Sequence, residues 1–408
     1  MTVTEYYQQG VKLKQQKDYD RAIELFTTAL DEYPDSTMII GIRGSTYYNK
    51  GEKEKALADY TRLIDLMPER PDGWNSRGNL YHELGEYDKA IADYTHCIPM
   101  SPDNYGTYWS NRGISYCAKG DLDAALADFN QSIACWTEPE CSGWALYHRG
   151  VVWRKKGDLD KALADFRLAA KYSSYNADIP YQAGYVWFMR RNFKKAIRYF
   201  SKAIKARGNV ADHWLARGAS YWNQCVKDKT AFWGKDGEIM DLAEDDFTRA
   251  IECDPAMAIA YLDRGMVRCT RARESNNCIK AILTQKATDD AERAVLLAQL
   301  EHIGGKDLVP QTDAFLRGLR SNQDEVDVIM SNMLGLFAEE GARGAVEDLS
   351  QAVALDPDNA DAWYERGLAY TLLGEKDKAL ADYERTCALD PFHSKAAEKR
   401  DKLLESRK

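Results

Sequence analysis

Side chains that could act as catalytic bases or metal ligands are few in this chain and are scattered along it. Six histidines are spread over 408 residues without an HExxH motif, and the nine cysteines include no CxxC pair. A helical zinc site needs two ligands one turn apart, so these spacings predict no metal site. The segment GGKD at 304–307 lacks the rest of a phosphate-binding loop. The sequence therefore predicts no enzyme activity, no catalytic residues and no cofactor.

The composition predicts a folded chain that works in a reducing compartment. Hydrophobic residues make up 45% of the sequence and charged residues 29%, which is typical of a globular protein. The net charge of −9 argues against a nucleic-acid-binding surface. Neither a long apolar run nor a basic start followed by an apolar stretch occurs, so we expect no membrane span and no signal peptide. Scattered cysteines favour free thiols and a cytoplasmic location.

Glycine recurs with a nearly fixed period and reveals internal repeats. The periodic glycines stand at positions 10, 44, 78, 113, 150, 184, 218, 265 and 367, and four of the eight steps are 34 residues. The last step, 102 residues, is three times that period. Because glycine within a helix costs about 1 kcal/mol relative to alanine, its recurrence at one phase predicts close contact between helices. At Gly113 or Gly184 we expect leucine to overpack the contact and alanine to be tolerated.

Other residue types keep the same phase and define two helices per period. Sixteen residues after the glycine an aromatic ring recurs, at Phe26, Tyr60, Tyr94, Phe129, Phe166, Phe200 and Tyr383. Prolines follow where the second helix should end, at Pro34, Pro68, Pro102 and Pro391. Offsets of −4, 0 and +3 from the glycine lie on one helical face, and +12, +16 and +19 lie on the facing stripe of a second helix. Each period therefore predicts an antiparallel helix pair.

This pattern resembles the tetratricopeptide repeat (TPR) family, with small residues at the helix crossing, rings between the pairs and proline at the end. The resemblance implies an all-α fold, a right-handed solenoid of antiparallel helix pairs with a C-terminal capping helix. We place the repeats at 3–36, 37–70, 71–104, 106–139, 143–176, 177–210, 211–257 and 360–393, and a divergent unit at 326–359.

These boundaries predict four regions. Residues 1–257 hold seven repeats, 258–325 hold divergent helical repeats, 326–393 hold two further repeats, and 394–408 form the capping helix. Within 258–325 the residues in phase are Gly265, Phe315 and Gly318. The seventh repeat carries a 13-residue insertion, which belongs to a loop or to extended helix ends. Its Phe232 and Trp233 either project from the edge of the solenoid or fold back onto the adjoining helices.

Arginine and aspartate recur together in six of the repeats. The arginine precedes the periodic glycine and the aspartate precedes the periodic ring, which gives the pairs Arg43–Asp59, Arg77–Asp93, Arg112–Asp128, Arg149–Asp165, Arg217–Asp246 and Arg366–Asp382. The repeats that begin at 3 and 177 lack both residues. We therefore predict an ion pair within each of the six repeats. The alternative is an arginine ladder that binds an acidic ligand.

In the family that this sequence resembles, the first helix of each pair lines a concave groove. The resemblance places the groove at offsets −6, −3, +1, +4 and +5 from the glycine, where repeats three and four are mostly polar and repeats five to eight carry large rings and apolar groups. The candidate peptide-binding residues are Trp144, Tyr147, Tyr181, Tyr185, Phe188, Leu215, Trp222 and Leu262, together with Asn79 and Asn111. These rings either bind a peptide or helix, pack against neighbouring first helices, or mediate self-association.

Some members of the family grip the C-terminal carboxylate of a partner with a clamp of lysine, arginine and asparagine. Asn79 and Asn111 match the two asparagines of that clamp. The basic positions are occupied by Asn75, Trp144 and His148, so a cation to meet the carboxylate is missing. The asparagines retain the ability to hydrogen-bond a peptide backbone.

The leading hypothesis for function is a non-enzymatic scaffold or adaptor that binds a protein segment in its concave groove. The alternative is a self-associating architectural protein, possible as a homo-oligomer. A third hypothesis, less favoured because acid, base and nucleophile are not clustered, is a regulatory subunit of an enzyme with its chemistry in 266–325. The net acidity of the chain favours a basic or apolar partner segment.

Overall fold

The computed structural model describes residues 1–100, 106–135, 142–172, 177–227, 237–284 and 323–406, and these residues form helices and turns without any β-strand. The predicted positions Phe232, Trp233, Phe315 and Gly318 lie outside the described residues. The chain divides into two compact units, Met1–Ile179 and Pro180–Lys408. The all-α architecture predicted from the sequence is confirmed.

The first unit is built of successive helix pairs, because short turns fold each helix back onto the one before it. Its helices are α1 (Val3–Gln15), α2 (Tyr19–Glu32), α3 (Thr37–Lys50), α4 (Lys53–Leu66), α5 (Pro71–Glu83), α6 (Tyr87–Met100), α7 (Thr107–Lys119), α8 (Leu122–Cys135), α9 (Gly143–Lys155) and α10 (Leu159–Tyr172).

The second unit continues the same construction with longer members. Its helices are α11 (Asp178–Met189), α12 (Phe193–Ala206), α13 (Ala211–Lys227), α14 (Gly237–Cys253), α15 (Ala258–Thr284), α16 (Gln323–Leu355), α17 (Ala360–Leu372), α18 (Lys376–Leu389) and α19 (Ser394–Glu405). Part of the insertion in the seventh repeat lengthens α13 and α14 to 17 residues each.

The turn within a pair needs a residue in the left-handed backbone region. Gly51 supplies it after α3 with a φ of 91°, and its amide donates to the carbonyl oxygen of Tyr48 at 3.0 Å. Lys17 and Arg191 adopt positive φ at the corresponding turns of the repeats that begin at 3 and 177.

The periodic glycines lie where two helices of a pair touch, as the spacing predicted. A Cβ atom added at Gly184 would lie 2.7 Å from Cε1 of Phe200, and one at Gly44 would lie 2.9 Å from Cε1 of Tyr60. These rings are buried, Phe200 completely. The ring of the second helix therefore fills the space that the missing side chain leaves open.

All six predicted arginine–aspartate pairs are present, and each guanidinium holds both carboxylate oxygens. In the second pair, Nε and Nη2 of Arg77 donate to Asp93 at 2.9 Å each. Its Nη1 donates to the hydroxyl of Thr61 in the preceding pair at 3.3 Å. The other arginines reach the preceding pair in the same way, through Thr27, Thr95, Asn130, Ser201 and Ser350. Each arginine thus joins two successive repeats. Because these guanidinium groups are already paired, the alternative of an arginine ladder for an acidic ligand is not supported.

The helix pair expected at 326–359 is replaced by a different arrangement. Residues 323–355 form the single helix α16, which packs along α15. Arg264 of α15 pairs with Asp348 of α16 at 2.6 Å, and a Cβ at Gly265 would lie 2.7 Å from Leu349. The second-helix residues near Leu349 therefore complete the repeat that begins at Ala258. The divergent repeats expected within 285–322 lie outside the described residues.

Candidate peptide-binding surfaces

A cavity of about 420 Å³ lies among the helices of the first unit and is lined by polar, aromatic and apolar side chains. Asn79 of α5, Asn111 of α7 and Trp144 of α9 line it, at offsets from the glycine that the sequence assigned to the groove or to the asparagine positions. Tyr48 of α3 and His148 of α9 also line it. The structure therefore brings together three of the predicted binding residues in one cavity.

The two asparagines are held in place and keep hydrogen-bonding capacity. The amide nitrogen of Asn111 donates to Oδ1 of Asn75 at 3.1 Å, and Oδ1 of Asn79 accepts from the hydroxyl of Tyr94 at 2.8 Å. Within the described part of the chain, Nδ2 of Asn79 and Oδ1 of Asn111 have no partner. One free donor and one free acceptor side by side match the carbonyl and amide groups of a peptide backbone.

The two histidines of this cavity are poorly suited to carry a charge. Burial lowers the pKa of His148 to about 4, and its buried Nε2 has no hydrogen-bond partner among the described residues. Burial also lowers the pKa of His82, whose Nδ1 lies 2.9 Å from the hydroxyl of Ser115. The lining includes Glu83 but neither lysine nor arginine. The cavity therefore lacks the cation that a carboxylate clamp requires.

Two predicted ring positions of α9 differ in exposure. Trp144 is 54% exposed, with its ring centroid 4.3 Å from that of His148. Tyr147 is half-buried and contacts His148 and Phe166. Trp144 thus offers an accessible aromatic face at the rim, while Tyr147 is largely occupied by packing.

The second unit has its own cavity of about 230 Å³, lined mainly by rings and apolar groups. Tyr181, Tyr185 and Phe188 of α11 and Leu215 of α13 contribute to it, as the groove offsets predicted. The ring centroids of Tyr181 and Tyr185 are 5.8 Å apart, and those of Tyr185 and Phe188 are 6.2 Å apart. Tyr185 is 39% exposed, so part of its ring surface remains accessible in the cavity.

Two carboxylates in this cavity were not among the predicted site residues. Asp212 is exposed at the start of α13, and Asp263 of α15 is half-buried. Burial raises the pKa of Asp263 to about 7. Asp212 occupies a groove offset, −6 from its glycine, so the sequence carried a signal for it. Asp263, at offset −2, lies beside the groove stripe. Its raised pKa results from the packing of its neighbours.

The remaining predicted groove residues lie elsewhere in the second unit. Leu262 is 5% exposed and packs with Cys269 and Leu349, because α16 and α17 cover this side of α15. It is a core residue, and its assignment to the groove is corrected. Trp222 is half-buried against the cluster that contains Cys225 and Phe247.

The described ranges also bear on metal and membrane sites. No group of three or more histidine, cysteine, aspartate or glutamate side chains there is placed to hold a metal ion. None of the described helices combines the length and apolar character needed to cross a membrane. The seven cysteines in these ranges form no disulfide bond with one another.

One curated relative aligns with part of this chain. The DnaJ protein P58IPK homolog of Arabidopsis thaliana is 29% identical over 167 residues. The match covers 37% of this chain and 34% of that relative, so this chain spans about a third of the relative's length.

Solved structures of similar fold are TPR proteins. One from Parabacteroides merdae superposes with a TM-score of 0.50 at 17% identity, over 64% of this chain and 96% of that one. The C-terminal part of a TPR protein from Cytophaga hutchinsonii gives a TM-score of 0.49 at 16% identity, over 79% and 97%. The first likeness supports the fold, and the predicted all-α repeat solenoid is confirmed.

Three family models match the sequence. One described as TPR repeat matches 44–85 and 343–374, and two described as tetratricopeptide repeat match 71–104 with 360–393 and 7–64 with 110–177. Together these matches cover more than half of the chain and agree with the helix pairs described above. The chain belongs to the tetratricopeptide repeat family.

Proposed function

We propose that this protein is a non-enzymatic adaptor that binds an extended segment of a partner protein on the inner faces of its first helices. Tetratricopeptide repeats imply a protein–protein interaction scaffold, and the finer assignment rests on the cavity of the first unit. The observation that carries it is the pair formed by Asn79 and Asn111, with one free donor and one free acceptor beside the exposed ring of Trp144.

This arrangement suits a peptide better than a small molecule or a carboxylate. The amide groups can bond a backbone without regard to sequence, and Trp144 supplies an apolar anchor with little rotamer entropy to lose. The neutral histidines and Glu83 give a terminal carboxylate no cation to meet. An internal segment, neutral or basic, is therefore the ligand class that the cavity favours.

Self-association is the second candidate, and one residue favours it. Phe392, between α18 and α19, is 94% exposed. An aromatic side chain with almost no intramolecular cover is a candidate anchor for a second copy of the chain. Light scattering of the wild type and of Phe392→Ser at the same concentration separates this candidate from the adaptor proposal. The third candidate, an enzyme-associated subunit, depends largely on 285–322, outside the described residues.

The cysteines of the described ranges, which form no disulfide bond with one another, accord with a cytoplasmic, reducing setting, which we include in the proposal.

The adaptor proposal is tested with the full chain and an array of immobilised short peptides of random sequence. We expect Asn79→Ala with Asn111→Ala to abolish binding to most peptides that the wild type retains. Gln131→Ala, on the exposed side of α8, is the matched control and should bind as the wild type does. Unchanged binding by the double variant, or a wild type that binds no peptide, would overturn the proposal.

A further inference from the structure

The carboxyl group of Asp263 lines the cavity of the second unit and has no hydrogen-bond partner among the described residues. It makes neither a hydrogen bond nor an ion pair with the described residues, although arginines are close to it in sequence. Arg264 is held by Asp348, and Arg268 by Glu244 and Asp348. These two arginines of α15 are thus paired with other acids, and no cation among the described residues is paired with Asp263.

The walls of the cavity are suited to the stem of a long cationic side chain. Tyr181, Tyr185 and Phe188 of α11 contribute rings to the lining, and Leu215 of α13 and Ile259 of α15 contribute apolar surface. Aromatic faces attract an ammonium or guanidinium group placed within about 6 Å of the ring centre. The lining therefore combines apolar contact for methylene groups with rings that favour a positive charge.

Two acids and no base line this cavity. Asp212 and Asp263 are its charged residues, and lysine, arginine and histidine are missing from its lining. The volume of about 230 Å³ is below the roughly 300–1,000 Å³ usual for a small-molecule site. A divalent metal ion fits poorly, because calcium needs six or more oxygen ligands and the described residues offer no cluster of three such side chains here.

We propose that the cavity bounded by Tyr181, Tyr185, Phe188, Asp212 and Asp263 binds the side chain of a lysine or arginine in a partner segment. The proposal rests on the adaptor function and gives it a sequence preference. The ammonium or guanidinium group lies between the rings and donates a charge-assisted hydrogen bond to the carboxylate of Asp263. Burial raises the pKa of Asp263 to about 7 in the empty cavity, so a bound cation would favour the ionised carboxylate and displace its proton.

The test uses the full chain and sets of immobilised peptides that share random flanking residues and differ at one central position. That position is lysine, arginine, norleucine or glutamate, and norleucine keeps the apolar stem of lysine without its charge. We expect the wild type to favour the lysine and arginine sets over norleucine by about tenfold, as for one charge-assisted contact. Asp263→Asn should remove most of that preference, and Tyr185→Ala should weaken binding to both basic sets.

The matched control is Glu384→Gln, which removes the same charge from an exposed position on α18. It should keep the wild-type preference, because only the net charge has changed. A wild type that binds peptides without preferring the basic sets would overturn this inference and leave the adaptor function standing. A preference that survives Asp263→Asn, or that Glu384→Gln loses equally, would also overturn it. A wild type that binds none of the sets would overturn both proposals.

Discussion

The guanidinium of Arg264 in α15 holds the carboxylate of Asp348 in α16, with Nη2 2.6 Å from Oδ1, although 84 residues separate the two in sequence. Asp348 is 3% exposed, so the pair is shielded from solvent. It is the counterpart, in this repeat, of the six pairs that lie within shorter repeats. It identifies α16 as the partner helix of α15.

Breaking this pair should destabilise the protein strongly. We expect Arg264→Ala to lower the free energy of unfolding by about 2–3 kcal/mol, because the buried Asp348 would lose two charge-assisted hydrogen bonds and keep the one from Nη1 of Arg268. The double variant Arg264→Leu with Asp348→Leu should lose less than Arg264→Ala alone. Urea unfolding followed by circular dichroism measures both. Arg343→Ala, which removes an exposed pair with Glu339, is the control and should change stability by less than about 1 kcal/mol.

Alanine at Gly184 should be harmful, contrary to the expectation from helix propensity. Its Cβ would lie 2.7 Å from a buried ring atom of Phe200, so either the ring or the helices must shift. We expect a loss of about 1–3 kcal/mol in unfolding free energy. Gly41→Ala is the control in α3, where the nearest atom would be 3.6 Å away, and it should stabilise the protein by up to about 1 kcal/mol. Equal melting temperatures for the two variants would remove the close-contact argument.

The raised pKa of Asp263 gives the stability of the second unit a pH dependence. The folded protein keeps this proton up to a pKa of about 7, whereas the unfolded chain releases it near the ordinary pKa of 3.8. Stability therefore falls as pH rises through this window, and the loss is complete above about pH 7. The neighbouring groups of the cavity are Asp212, Tyr181 and Tyr185, none of them a base.

Asp263→Asn should therefore be more stable than the wild type at about pH 8 and equal to it at about pH 4. The gain is at most about 4 kcal/mol, and less to the extent that solvent reaches the carboxyl group. Urea midpoints at the two pH values measure it. A variant that is less stable than the wild type at the higher pH would show that Asp263 has a favourable partner in the folded protein.

Substitution of Trp222 should mainly reduce stability, whereas substitution of Tyr185 should mainly reduce peptide binding. Trp222 packs on the cluster around Phe247, so Trp222→Ala should cost about 2 kcal/mol or more of stability. Tyr185 is 39% exposed, so Tyr185→Ala should cost less than about 1 kcal/mol while weakening peptide binding. Thermal melting and the peptide array measure the two effects. If Tyr185→Ala melts as early as Trp222→Ala, the ring of Tyr185 belongs to the core.

The regular part of this fold is readable from spacing because each repeat fixes the same contacts at the same separation. Arg77 and Asp93 stand 16 residues apart, as do Arg43 and Asp59, so one pattern predicts both pairs. Arg264 and Asp348 escaped prediction because the segment between their helices is longer by 68 residues, which is two whole periods of 34. Spacing alone therefore assigned Asp348 to a separate unit at 326–359 and not to the repeat that begins at Ala258.

The residues of the candidate sites can be predicted only in part from the period of the sequence. The offset from the glycine places Tyr185 and Phe188 on the inner face of α11, and the structure leaves Tyr185 exposed there. The same offset assigns Leu262 to the groove, but α16 and α17 bury it. The raised pKa of Asp263 depends on how tightly the neighbouring helices enclose its carboxyl group. Exposure and pKa come from the surroundings of a residue, which a periodic pattern does not describe.

The pairing of α15 with α16 also bears on where this polypeptide can be divided. The contacts that join these helices, Arg264 with Asp348 and Gly265 with Leu349, belong to the helices and not to the stretch of chain that connects them. Two separately produced pieces, one ending after α15 and the other beginning with α16, are therefore expected to find each other and rebuild the repeat. The two fragments would then complement each other, and the cavity of the second unit would stay assembled although the chain is cut.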